Sequence, residues 1–358
     1  MPPATLPLSK SPTFPAAARS FPLPVVPEEF ALVMPTLQPG AAALILFDET
    51  LRLLTLGDAS AQTSKVAKHY LQQVSGGNLQ AVTPALLPDT AVYLQSRLLV
   101  LYDLARREPQ VHQAADHLKE NPIAARWLSV APRRVAVLVR DLTNYLDTDT
   151  VDFRLRVLDL GGREAETVGQ LEMGTDGGFV WDAGHGVLMV RKGNAVLVYG
   201  PTLDKPVDHP LTRALGALLS TGLRLDRLRL HPTRPLAVFT VAALTASSKQ
   251  PGGIWRATWD DTGAEAKLEP LALLSPLERV QLGEFSPEGG WLTYTQVAPG
   301  PTRLFVQQVV DEQGPAYELG KIEDTKALLW TRQPLALAAV APGRQLITRW
   351  AFGAPPGR

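Results

Sequence analysis

Arg224, Arg227, Arg229 and Arg234 form a cationic strip, broken by Asp226 and alternating with Leu223, Leu225, Leu228 and Leu230. Guanidinium groups in a row on one side of a strand suit an acidic peptide or a phosphate, because each can hold two oxygens in one plane. The plainer alternative is a strand whose arginines are solvated or paired with Asp226 and neighbouring carboxylates. A second cluster, Asp141, Asn144, Asp147, Asp149 and Asp152, gathers oxygen donors of the kind Ca²⁺ takes, with Asp147, Asp149 and Asp152 as the metal candidates. Counted from Asp147, the sixth and twelfth places of an EF-hand loop hold Asp152 and Leu158 instead of Gly and Glu, so that motif is absent. A polar loop between strands is the competing reading.

Other chemistries find less support. His112 and His117 are five apart, a poor spacing for shared ligation, and His185 and His231 fall in turns, where a histidine more often bonds the turn than performs catalysis. No Gly-x-Ser-x-Gly elbow, P-loop or Gly-x-Gly-x-x-Gly element occurs, which removes the main support for serine hydrolase, nucleotide hydrolase and dinucleotide-binding readings. No cysteine is present, so thiolate metal sites, disulfides and cysteine nucleophiles are excluded, and no cofactor is implied. A metal-assisted hydrolase would need an acidic ring on inner strands. The candidates there are Asn78, Asp176, Asp226, Glu284 and Lys326, and the lysine opposes such a ring.

These residues must be positioned by a repeated unit. An apolar residue, then a proline, a short turn and a burst of alternating apolar residues recur along the chain, two weaker copies, at Ala183 and Thr331, lacking the proline. Phe285-Ser286-Pro287-Glu288-Gly289-Gly290-Trp291-Leu292-Thr293-Tyr294-Thr295 is the clearest copy. Markers at 39, 88, 132, 183, 232, 287 and 331 are separated by between 44 (331 less 287) and 55 (287 less 232) residues. A near-constant period of this size filled with strand pattern predicts a radial β array of seven repeats. Each repeat contains a third strand with period-two alternation, as in Arg154-Leu155-Arg156-Val157-Leu158-Asp159-Leu160. Thr63–Val74 and Gln110–Glu120 have helix-forming composition, and His209–Leu219 adds a helical turn.

Residues 1–27 are a proline-rich arm, and the last repeat stops after its third strand at Phe352. The arm is therefore expected to supply the missing outer strand and to close or brace a ring formed by residues 28–358. Lys plus Arg and Asp plus Glu are 35 each, which gives no global attraction to nucleic acid or anionic membrane. Prolines interrupt every apolar run of the arm, and no run elsewhere is long enough to span a bilayer, so a cytoplasmic location is expected.

The Phe285–Thr295 phrase resembles the repeat of TolB-like propellers and, more distantly, the turn of WD-repeat proteins. The resemblance implies an all-β, seven-bladed β-propeller with short helical insertions. It carries over no catalytic residue, since such propellers serve as protein-binding platforms or as domains attached to peptidases. The resulting expectation is a non-enzymatic platform that binds a protein or peptide through a propeller face and the helical insertions. A channel-located metal-assisted hydrolase, and nucleic-acid or phosphate binding through Arg224 to Arg234, are the alternatives.

Overall fold

The computed structural model describes residues 8–352 apart from 12, 17, 24–29, 37–40, 48–49, 57–59, 69–78, 84, 117, 144, 146–149, 176–178, 194, 244–251, 261–264, 276, 299, 311–313, 323, 326, 333 and 342–345. Strands dominate. After β1 (Arg19–Pro22) come β2 to β5 (Phe30–Pro35, Ala41–Phe47, Thr50–Leu56, Ala61–Lys68) and β6 to β9 (Leu79–Ala81, Thr90–Gln95, Leu98–Asp103, Glu108–Gln113). Next are β10 to β13 (Glu120–Val130, Arg133–Asp141, Asp152–Asp159, Glu166–Gly174) and β14 to β16 (Val180–Gly184, Val187–Lys192, Ala195–Tyr199). Helix α1 (Pro210–Leu219) precedes β17 to β20 (Leu223–Leu230, Leu236–Ala243, Gly253–Trp259, Ala266–Leu273). The last strands are β21 to β24 (Arg279–Phe285, Trp291–Ala298, Arg303–Gln308, Ala316–Lys321) and β25 to β27 (Ala327–Arg332, Leu335–Ala341, Leu346–Ala351).

Each group forms its own sheet in sequence order, with antiparallel neighbours. The third strand expected at 154–160 is β12, and β4, β8, β16, β19, β23 and β27 hold the same third place in their sheets. Six sheets have four strands and the sheet β14–β16 has three, so the described residues hold six complete blades rather than seven. The reason lies in the segment after β16. Pro201 and Pro206 remove backbone donors where a fourth strand would pair, leaving an isolated Tyr199–Pro206 bridge and one Val207 N–H to Val198 carbonyl bond. Pro210 in the first turn and the His209 side chain, which accepts from the Leu211 amide, then start α1, which packs on β16.

Two expected helices are corrected. Residues 63–68 lie in β5 and residues 110–113 in β9, while 69–74 lie outside the described residues. Both are outer strands whose side chains mostly face solvent, so their Gln, Lys and Ala content reads as helical. Backbone pairing to β4 and β8 overrides that local preference.

The chain packs as two compact units: residues 1–13, 126–285 and 289–320, and residues 14–125, 286–288 and 321–358. In the first, β18 shows how a middle strand is built. Ala237, Phe239 and Val241 enter one buried cluster with Leu211, Leu215 and Leu228, whereas Leu236 and Val238 enter another with Phe285, Tyr294 and Phe305. Both faces are covered, which is why the run is apolar almost throughout. Leu8 of the arm is fully buried in the second of these clusters. In the other unit, β1 pairs with β27, Arg19 opposite Arg349 and Pro22 opposite Leu346, as the outer strand of the last sheet. Phe14 packs against Phe352 with ring centroids 4.7 Å apart.

Leu8→Ala should therefore destabilise the protein by about 3 kcal/mol in urea unfolding, the cost of a buried leucine cavity. Leu118→Ala, at a side chain 82% exposed, should change stability by less than about 0.5 kcal/mol.

Candidate functional site

The arginine strip lies on β17, and a β-bulge decides what it presents. Leu223 and Leu225 are buried, then the register shifts between Leu225 and Arg227 so that Leu228 and Leu230 are buried on the same side. Without the extra residue, Leu228 would face the other way. The 2-3-2 spacing of the leucines is the sequence trace of that bulge. Arg224 and Arg227 are exposed and Arg229 is half-buried, while Arg234 sits in the turn before β18. The strip is thus divided: Arg224 pairs with Asp226 at 3.6 Å, and Arg229 turns inward.

Arg229 joins a charge cluster built from the first strands of four consecutive sheets of this unit. Arg126 on β10 lies 3.2 Å from Asp182 on β14 and 2.7 Å from Glu284 on β21. Arg229 donates through Nε to the Gly283 carbonyl at 3.0 Å and lies 3.9 Å from Glu284. The Asp182 carboxylate, 2% exposed, also accepts the Leu230 amide at 2.7 Å. Burial pushes the Asp182 carboxyl up, against the pull of Arg229 and Arg126. Burial and the neighbouring Arg126 push Arg229 down, with Glu284 and Asp182 opposing. Sequence reasoning named Glu284 only as a metal candidate and missed Arg126 and Asp182, whose partners are more than 40 residues away.

The turns beside this cluster interlock. The His231 ring packs on Phe285 at 4.8 Å, and its Nδ1 accepts the Thr233 amide at 3.1 Å. An added Cβ on Gly289, whose φ is +76°, would come within 1.9 Å of His231 Nε2, and one on Gly184 within 2.7 Å of the His231 carbonyl oxygen. The His185 amide donates to the Pro232 carbonyl, and the Gly186 amide to the Leu128 carbonyl. The turn glycines therefore permit neighbouring sheets to touch backbone to side chain. Burial, with Arg234 adding, lowers the His231 pKa to about 4.

Beside the charge cluster, a cavity of about 340 Å³ is lined by Phe179, Val180 and Trp181 of the β14 side, Arg227, Leu228 and Arg229 of β17, and Gln281 and Leu282 of β21. It brings together two of the four predicted arginines, Arg227 and Arg229. Among the described residues its lining holds cations and an amide but no carboxylate, histidine or hydroxyl side chain. Of the metal candidates, Asp147 and Asp149 lie outside the described residues, as do Asn78, Asn144, Asp176 and Lys326. Asp152 faces Asp141 across the β11–β12 pair, and the Asp141 carboxylate is occupied by Arg154 at 3.0 Å and by the Thr143 amide and hydroxyl. Among the described residues, no three His, Asp or Glu side chains are grouped so as to hold a metal. No described helix is long and apolar enough to cross a membrane.

Solved structures show the same architecture. An oligogalacturonate lyase in complex with manganese is 12% identical with a TM-score of 0.59, over 96% of this chain and 98% of that one. The oligogalacturonate lyase of Vibrio parahaemolyticus is also 12% identical, with a TM-score of 0.56 over 97% of this chain and 99% of that one. This chain is an all-β propeller. A putative TolB from Agrobacterium tumefaciens is 12% identical over 82% of this chain and 95% of that one, with a TM-score of 0.41. No protein-family model and no curated protein matches the propeller's sequence.

Asp182→Ala leaves the Leu230 amide without its acceptor and Arg126 with Glu284 alone, and urea unfolding should show a loss of about 3 kcal/mol. For His231 the folded pKa of about 4 lies below the ordinary 6.5, so its contribution is present above pH 6.5 and is lost as pH falls through that window. The wild type should lose up to about 3 kcal/mol more than His231→Gln between pH 7 and pH 4 in matched urea titrations.

Proposed function

We propose that this propeller is a non-enzymatic binding platform whose partner is a protein or peptide segment rich in carboxylates, received at the cavity between β14, β17 and β21. The observation that carries this reading is the division of labour among the inner-strand charges. Arg126 and Arg229 are held by Asp182 and Glu284, whereas Arg227 projects exposed at the cavity lining with no carboxylate among the described lining residues. Counting the cations Arg126, Arg227 and Arg229 against Asp182 and Glu284 leaves one positive charge. An anionic side chain would neutralise it in a site walled by Trp181 and Phe179, where water screens less than at an open surface. The described lining residues supply recognition groups without a general base or nucleophile.

A solved structure of similar fold is an oligogalacturonate lyase in complex with manganese, so an enzyme acting on such a substrate is the second reading. Assay with oligogalacturonate and Mn²⁺ separates the two readings, since turnover there would replace the platform with an enzyme. Nucleic-acid binding through Arg224 to Arg234 is the third reading, and it requires an affinity that falls steeply with salt.

A fluorescent oligoglutamate peptide should bind the wild type and bind Arg227→Glu at least about tenfold more weakly, with unchanged urea stability because Arg227 is exposed. Equal binding by the two proteins would remove the cavity from the account.

A further inference from the structure

The cavity beside Trp181 does not end at Phe179. The Phe179 ring meets the Phe153 ring edge-on, with centroids 5.4 Å apart, and so joins the cavity wall to β12 of the preceding sheet. Phe153 stands opposite Arg140 in the β11–β12 register, and residues opposite one another in an antiparallel pair share a face of the sheet. Arg140 therefore lies beside the aromatic pair. Arg140, Phe153 and Phe179 are each half-buried, so all three keep surface that a ligand can reach.

Arg140 is a cation without a counter-charge. Among the described residues it makes no ion pair, and its Nε is out of solvent with no hydrogen-bond partner. The carboxylates nearest in sequence do not serve it. Asp141 follows Arg140 and Asp152 precedes Phe153, so alternation turns both to the opposite face. There Asp141 is held by Arg154 at 3.0 Å and by the Thr143 amide and hydroxyl. A guanidinium left partly desolvated and unpaired is costly, and an anionic group brought by a ligand offsets that cost. Arg227, exposed in the cavity lining, is likewise without an ion pair among the described residues. Two uncompensated guanidiniums thus flank an aromatic seam.

We propose that the partner segment carries an aromatic residue with carboxylates on both sides. One carboxylate meets Arg227, the ring lies against Phe179 and Phe153, and the other carboxylate meets Arg140. This rests on the cavity being the acidic-peptide site. The guanidinium–carboxylate pairs fix direction, while ring-on-ring contact favours such a segment over a purely acidic one.

Fluorescence anisotropy of the full chain with labelled Glu-Glu-Phe-Glu-Glu and Glu-Glu-Ser-Glu-Glu, which carry equal charge, tests it. The phenylalanine peptide should bind at least about tenfold more tightly than the serine peptide. Arg140→Gln should weaken the phenylalanine peptide about tenfold without lowering urea stability, because it removes an unpaired charge. Phe153→Leu, which keeps an apolar side chain, should remove most of the preference for the ring and leave the serine peptide's binding as it is. Arg227→Glu should weaken both peptides. Equal binding of the two peptides, or full binding of the phenylalanine peptide by Arg140→Gln, with Arg227→Glu still weakening both, would overturn this inference and leave the acidic-partner reading standing. Binding of neither peptide would overturn both.

Discussion

The Asp182 carboxylate is the point on which the first compact unit turns. It sits on the first strand of a three-stranded sheet and reaches both neighbours, accepting the Leu230 amide on one side and pairing with Arg126 on the other. A carboxylate buried this far is costly unless its oxygens are occupied, and here backbone and guanidinium occupy them together. Through Arg126 the tie extends to Glu284, and through Glu284 to Arg229. Four sheets are thereby fixed by one charged network at their inner strands and by interlocking turns beside it.

That network also decides which charges remain for recognition. A guanidinium pinned by a carboxylate and a backbone carbonyl, as Arg229 is, offers little to a partner. Arg227, two residues earlier, differs because the bulge at Asp226 rotates the strand locally and leaves it exposed. In the proposed platform, structural stability and binding are thus separated along a single strand, by one extra residue in its register.

Much of this was legible in the sequence because repetition is a local signal. The proline-turn phrase marked the hairpins, the third strands fell where alternation placed them, and the proline-rich arm supplied the strand β1 that the last sheet lacked. Outer strands β5 and β9 were misread as helices because their solvated surfaces carry helix-like composition, and apolar alternation fades where neither face is deeply buried. The three-stranded sheet was foreshadowed only by Pro201, Pro206 and Pro210. The site was less legible: Arg229 and Glu284 stood out by type, but the pairing of Arg126 with Asp182 joins residues 56 positions apart (182 less 126), and no local pattern announces it.

The central claim is that partner recognition occurs beside this network, between the first strands of adjacent sheets. Hydrogen exchange read by mass spectrometry, with and without saturating oligoglutamate, tests it most directly. The account predicts added protection in segments covering Phe179–Trp181, Arg227–Arg229 and Gln281–Leu282, with the outer strands unchanged. Protection confined to outer strands or to α1, with none in those three segments, would contradict it.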